Sequence, residues 1–360
     1  MAMLTPERML LMIFGAAFAV GAADYFCGGK LGLGKKFSEG LQTFAPLFLT
    51  MAGFLVLTPL IAKLIAPAAA AVCSSTGTDP GLFSGIILAN DNGAYPLAQS
   101  LARSPEAPGF CGMLLGSIVG ANIVCMPLIF QLLAKEDHDY YFKGLMFGII
   151  TMPLALLVGG ICAKYSWSFM LRQLPPLAVL AAAAGVMLWL IPQILTTILR
   201  YFAKTMELIA LTGISAAVFM DLAGHPVKSL MPVNEAVKII GAIAVMLGGV
   251  YVFTTILSIM LKKFLPAVSG KLGVNDVAVT GIITTLANAI PTMAMIKDMD
   301  NRGKMLNCAF LSSGAFMLGD HLAYCSAAAP ELIFPLLATK LTGAVSAAIL
   351  AYIYCRKNSL

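Results

Sequence analysis

The chain is a succession of long apolar runs, most of them near the roughly 20 residues an α-helix needs to cross a bilayer. They lie at 9–26, 43–66, 110–134, 141–163, 175–199, 205–222, 236–261, 304–328 and 330–354. Only 11% of the 360 residues are charged, and mean hydropathy is +0.90. So few charges cannot clothe a water-exposed surface, which excludes a soluble two-domain enzyme. Disorder needs the opposite composition. The runs are unbroken where barrel strands would alternate. The expected fold is an all-α polytopic membrane protein.

Other chemistry is excluded motif by motif. The eight cysteines are scattered without a C-x-x-C. They read as small apolar residues, not as a disulfide framework or a zinc site. No P-loop, H-E-x-x-H or G-x-S-x-G pattern is present, so no enzyme activity, metal or cofactor is expected. The net charge of +6 reports topology in such a chain, and no basic run alternates with aromatics, so no nucleic-acid partner is expected. The run from Met9 to Phe26 reads as an uncleaved first helix.

Two further apolar segments, 81–102 and 274–296, are interrupted at their centres. The first reads GIILANDNGAYPLA, with Asn90, Asp91, Asn92, Gly93 and Pro96; the second reads GIITTLANAIPTMA, with Thr284, Thr285, Asn288 and Pro291. Polar side chains and open backbone cannot face lipid, so both segments must face protein or a watery cavity. Aligning Gly85-Ile86-Ile87 on Gly281-Ile282-Ile283, a shift of 196 residues, lays every run before the middle of the chain on a partner after it. The expected organisation is two five-element repeats, 1–165 and 205–360, with 166–204 as a joining helix and loops.

Charge placement decides the orientation of the repeats. If both interrupted segments are re-entrant, five crossings separate the halves and the repeats are inverted. Lys262, Lys263 and Lys271 then share the side of Lys30, Lys35 and Lys36, as the positive-inside rule favours. If both span, those lysines are expelled. Inverted repeats with broken segments are a transporter signature, with the site near the midplane where the broken elements meet. An elevator-like transporter of small solutes is therefore expected.

Candidate site residues follow from cost. Asp91 and Asp320 lie in otherwise apolar segments, and an intramembrane carboxylate is by default functional. Asp91 reads as a cation ligand or as the cap of a half-helix. Asp320 reads as a ligand or as a structural partner of His321, a residue type that titrates near neutrality. Asn92 and Asn288 either satisfy open backbone or bind a hydroxyl, and Asn90, Thr284 and Thr285 in the same segments are further candidate substrate-binding residues. Asp24 and Asp221, near helix ends, read as solvated. Ser312 and Ser313, placed on one helix with His321, stand too far along it for a nucleophile–base pair.

The stretch VNDVAVTGIITTLANAIPTMAMIKDMDNRGKMLNCAFLSSGAFMLGDHLAY closely resembles the ethanolamine permease family, EutH. GIILANDNGAYPLA resembles it more loosely, and the late run FPLLATKLTGAVSAAILA also fits. The resemblance covers most of the chain and is strongest from Gly273 to Lys340. It implies uptake of ethanolamine across the bacterial cytoplasmic (inner) membrane, with facilitated diffusion as the favoured mode. The partners so implied are ethanolamine and the lipid bilayer; a homo-oligomer is compatible with the sequence. Ethanolamine is a small ammonium alcohol, so its charged end needs a carboxylate and its hydroxyl an amide or hydroxyl. A carrier for an amino acid or nucleoside is the alternative; Tyr95 and Tyr324 are the aromatics a nucleoside would use, and no Arg inside a membrane run offers to hold a carboxylate. A membrane-embedded enzyme or channel is a more distant one.

Overall fold

The computed structural model describes residues 5–225 and 227–358, and among them the structure is helical, with no strand. In chain order the helices are α1 (Pro6–Phe26), α2 (Leu33–Gln42), α3 (Phe44–Thr76), α4 (Leu82–Ile87) and α5 (Tyr95–Leu101). α6 combines Pro108–Gly120, wound with the wider π-type turn, and Ala121–Leu132; α7 (His138–Cys162), α8 (Trp167–Leu190) and α9 (Pro192–Leu222) follow. The second half holds α10 (Val233–Leu261), α11 (Leu265–Leu272), α12 (Asp276–Ala287), α13 (Ala289–Met295), α14 (Asn301–Gly314), α15 (Asp320–Ala328) and α16 (Ile333–Lys357). Seven of the described segments are long and apolar enough to cross a membrane. Large apolar side chains such as Met12, Leu171, Ile194, Phe219 and Ile259 are exposed on them, as lipid-facing helices require.

Three expected boundaries move, each for a local reason. The runs 175–199 and 205–222 become α8 and a 31-residue α9. The break falls at Ile191 because Pro192 lacks an N–H and bars its predecessor from the helical region. Arg200 and Lys204, expected in a loop, sit inside α9 with exposed side chains. The run 43–66 continues through Pro67 to Thr76 and stops at Gly77, whose φ of 70° is left-handed. The run 304–328 is two helices, α14 and α15, parted at Ala315–Gly319, so Ser312, Ser313 and His321 do not share one helix.

The loop carrying Lys35 and Lys36 also differs from expectation: it folds into α2. Asp24, expected to be solvated, is buried and holds this turn, its carboxylate accepting from the backbone N–H of Leu31 at 2.9 Å and Gly34 at 2.7 Å. Asp221 is exposed. The cysteines are free thiols, with Cys73, Cys111, Cys308, Cys325 and Cys355 buried as apolar fillers.

Both interrupted segments are hairpins whose two ends lie together. In the first, α4–α5, the Asp79 carboxylate accepts from Gly81 N–H at 2.8 Å and from Arg103 and Ser104 N–H at 3.0 and 2.9 Å. In the second, α12–α13, the Asp300 carboxylate accepts from Asn275 N–H and Gly303 N–H, both at 2.6 Å. Asn275 Nδ2 also donates to the Asp298 carbonyl at 2.9 Å. One carboxylate thus staples each hairpin at its base. The two ends of each hairpin therefore lie side by side.

Packing divides the helices into two groups. α7, α14 and α16 pack on one another, and the first hairpin packs on the π-wound part of α6. α10 packs on α1 and α2, and α3 on α9. α10 with α15, α3 with α5 and α6 with α9 join the groups.

Candidate substrate site

Each hairpin turns at polar residues that cannot continue a helix. At the first tip Leu88 and Ala89 are extended, and Gly93 has φ 99°, a conformation that costs a residue with a Cβ. Asn90 and Asp91 are thereby driven into the protein, 0% and 8% exposed, while Asn92 is half-buried. The tip sits on α6 because that helix presents glycine there. A Cβ on Gly120 would overlap the Leu88 carbonyl, and one on Gly116 would come within 3.1 Å of Asn90 N. This is the close approach that small-residue stripes permit in membranes.

The second tip turns at Asn288, extended at φ −155°, whose side-chain oxygen accepts from Ile290 N–H at 2.9 Å and caps α13. Thr285 Oγ1 donates to Thr292 Oγ1 at 2.9 Å, and Thr292 Oγ1 donates to the Gly281 carbonyl at 3.0 Å. These bonds lock the two arms together. Thr284 Oγ1 donates to the Thr280 carbonyl at 2.8 Å, within its own helix.

The break between α14 and α15 lies between the two tips. Phe316 N–H donates to the Thr285 carbonyl at 3.2 Å and Leu318 N–H to the Leu286 carbonyl at 2.6 Å. Gly319 lies so close to the Ala287 carbonyl that a Cβ would overlap it. Phe316 has φ 59°, an uncommon strain for an aromatic residue, held by these contacts. The break places Asp320 in the first turn of α15 and His321 beside the first tip. Asn90 Nδ2 reaches the His321 carbonyl at 3.5 Å, and His321 Nε2 lies 3.9 Å from Asp91 Oδ1. Tyr251 of α10 lies near the Asn288 side chain and Asp320.

The expected residues therefore divide. Asn90, Asp91, Asp320 and His321 gather at the meeting of the first tip and the third break, with Asn288 linked to the same break through its hairpin. Thr284 and Thr285 spend their hydroxyls inside the second hairpin. Sequence reasoning missed Lys340 of α16, which is 1% exposed and donates from Nζ to the Ser117 carbonyl at 2.7 Å. It also missed Asn122, whose Nδ2 ties α6 to the Ser312 carbonyl of α14 at 2.6 Å. The signal for Lys340 was present: a lysine inside an apolar run is as exceptional as an aspartate there.

Asp91 Oδ1, Asn90 Oδ1 and His321 Nδ1 are buried without a hydrogen-bond partner among the described residues. Unpaired polar atoms at such depth are costly and mark a place for a polar guest. Beside Lys340, a cavity lined by Ser117, Asn122, Cys125, Ala289 and Phe316 offers about 10 Å³, room for roughly one water. A larger cavity, about 570 Å³, opens at the base of the first hairpin between Glu7, Tyr95, Gln99, Lys164, Tyr165 and Glu331. Burial, aided by Tyr95, Cys111, Glu106 and Glu331, holds the Tyr165 phenol above its usual range, so it stays a neutral hydroxyl there.

The chain is similar to known proteins along most of its length. The family described as "Ethanolamine utilisation protein, EutH" matches residues 7–354. A "Probable ethanolamine permease EutH" of Listeria monocytogenes is 38% identical over 340 residues, covering 94% of this chain and 90% of the relative. The Salmonella typhimurium protein of the same description is 33% identical, covering 95% and 89%. An uncharacterized protein of Bacillus subtilis, YxeR, is also 33% identical, covering 97% and 95%. No solved structure matches. The chain belongs to the EutH ethanolamine-utilisation family.

Proposed function

We propose that the protein is a permease that takes up ethanolamine across the bacterial cytoplasmic membrane by facilitated diffusion. The observation that carries this reading is a pair of carboxylates in otherwise apolar segments, Asp91 at the first tip and Asp320 in the first turn of α15, the helix that packs on that tip. An ammonium at that depth needs such partners. In this reading it lies between the two carboxylates, and its hydroxyl is met by Asn288 or Asn92. The printed names of the relatives, probable ethanolamine permeases, support the choice of substrate.

The same reading orders the molecule into two inverted repeats. Three likenesses between the halves support it: a base staple by one aspartate, a polar tip, and a glycine seated on the last carbonyl before each tip. The base of the first hairpin lies by Arg103 and Lys164, and that of the second by Lys271, Arg302 and Lys304. The positive-inside rule puts the second base in the cytoplasm, and inversion then puts the first outside. The 570 Å³ cavity is then the outer mouth, and Tyr95, directly after the first tip, joins mouth to site.

The small space at the site will not admit a four-heavy-atom solute, so transport requires movement. We assign the moving body to the two hairpins with α6, α7 and α14–α16, carried against a frame of α1, α3, α9 and α10 in an elevator-like stroke.

Uptake of labelled ethanolamine into proteoliposomes at mildly acidic pH tests the reading. Saturable wild-type uptake that collapses in Asp91→Asn and Asp320→Asn is expected. Wild-type uptake no greater than that of empty liposomes would overturn it.

A further inference from the structure

The structure assigns Lys340 as the residue that fixes the charge of the cargo at one: it balances one of the two carboxylates, Asp91 and Asp320, and leaves a single negative charge for a monovalent ammonium. This inference rests on the transport reading above.

Lys340 is a buried lysine two turns into α16. Its ammonium has three hydrogens and donates one to the Ser117 carbonyl. No carboxylate among the described residues comes within ion-pair distance of Nζ, although Asp91 lies within its electrostatic range. Ser117 follows Gly116, which seats Asn90, so Lys340 lies against the first tip without being locked to Asp91. A locked pair would consume the carboxylate; a separated one leaves its oxygen available, and Asp91 Oδ1 is indeed without a hydrogen-bond partner.

The count of charges is then short. The cluster contains the buried Asp91 from the first tip, the half-buried Asp320 and the buried His321 from α15, and the buried Lys340 from α16. The other elements facing the Lys340 cavity contribute Ser117, Asn122 and Cys125 from α6, Ala289 from the second hairpin, and Leu311, Ser312, Ala315 and Phe316 from α14 and its break. None of these adds a fixed charge. With His321 neutral, two carboxylates and one ammonium sum to one negative charge. One alkylammonium brings the occupied site to zero. A dication leaves a positive charge unpaired at membrane depth, a penalty of about a hundredfold or more. A neutral alcohol leaves the negative charge unpaired. Lys340 therefore selects by valence, where the tips select by shape.

The test uses two solutes of equal length, ethanolamine and 1,2-diaminoethane, in proteoliposomes at mildly acidic pH, where the diamine is a dication. Wild type is expected to take up the first and exclude the second. Lys340→Met, which leaves two negative charges, is expected to admit the diamine and shift the preference about a hundredfold toward it. The double variant Asp91→Asn with Lys340→Met restores one negative charge. It is expected to recover the monocation preference and to exceed Asp91→Asn alone in ethanolamine uptake, a rescue that a purely structural lysine would not give. A Lys340→Met protein with the wild-type preference would overturn the inference. So would a double variant no better than Asp91→Asn, and this comparison decides the matter even if Lys340→Met alone does not fold. Absence of ethanolamine uptake by wild type would instead sink the permease reading beneath it.

Discussion

Asp91 Oδ1 and His321 Nε2 stand 3.9 Å apart in the protein interior, within reach of charge but beyond a hydrogen bond. The bond between these two segments runs elsewhere, from Asn90 Nδ2 to the His321 main-chain carbonyl. The imidazole is therefore a neighbour of the carboxylate and not its partner.

That distinction sets the first prediction. His321→Gln keeps the main-chain carbonyl that Asn90 uses and leaves Asp91 unpaired as before. Ethanolamine uptake in proteoliposomes should fall less than about tenfold, whereas Asp91→Asn removes a charge-assisted partner and should cost about a hundredfold. Equal losses in the two variants would show that His321 holds Asp91 in the working state.

The hairpin staples give the second prediction. Asp79→Ala strips the acceptor from three backbone N–H groups, those of Gly81, Arg103 and Ser104. Unsatisfied donors and a lost ionic acceptor together amount to about 3 kcal/mol. Thermal unfolding in detergent should show a lowered Tm, and hydrogen exchange should rise first at residues 79–81 and 103–104. An unchanged exchange pattern there would mean that packing on α6 alone holds the hairpin.

The sequence made some of this legible and concealed the rest, for physical reasons. The two hairpins were visible because polar residues and proline inside an apolar run have no lipid-facing solution. Asp91 and Asp320 were visible on the same ground. The break at Ala315–Gly319 was hidden because its residues, Ala315, Phe316, Met317 and Leu318, are apolar; its cause is a tertiary pairing with the Thr285 and Leu286 carbonyls, which no local pattern announces. The division at Ile191 escaped because the apolar runs on either side of Pro192 are continuous. Thr285 read as a ligand because a hydroxyl at a hairpin tip looks available, and only the fold brings Thr292 to meet it.

The 570 Å³ cavity carries the third prediction. Glu331 is exposed at the rim of the 570 Å³ cavity, eleven residues after Asp320. An exposed charge draws a cation toward the mouth but does not hold it in the closed site. Glu331→Gln should raise KM for ethanolamine by roughly twofold to fivefold with the maximal rate nearly intact, and the effect should shrink as salt screens it. A fall in maximal rate at unchanged KM would place Glu331 in the movement instead of the approach.

The fourth prediction concerns the two glycines that seat the tips. Gly120, the last residue of the π-wound part of α6, has right-handed helical dihedrals, φ −59° and ψ −40°, so alanine there suffers no backbone penalty. Its methyl would instead overlap the Leu88 carbonyl and push the first tip off α6. Gly319 bears the same relation to the Ala287 carbonyl at the second tip. Overpacking at such contacts costs about 1–3 kcal/mol, so both alanine variants should still insert and fold. Uptake should nevertheless fall steeply, because Asp91 and Asp320 are each positioned by one of these seats. If the tips move with α6 and α14–α15 as one body, the two variants should lose uptake to a similar degree. Loss confined to Gly120→Ala would mean that only the first hairpin governs the site, and would count against the paired roles given to the two tips.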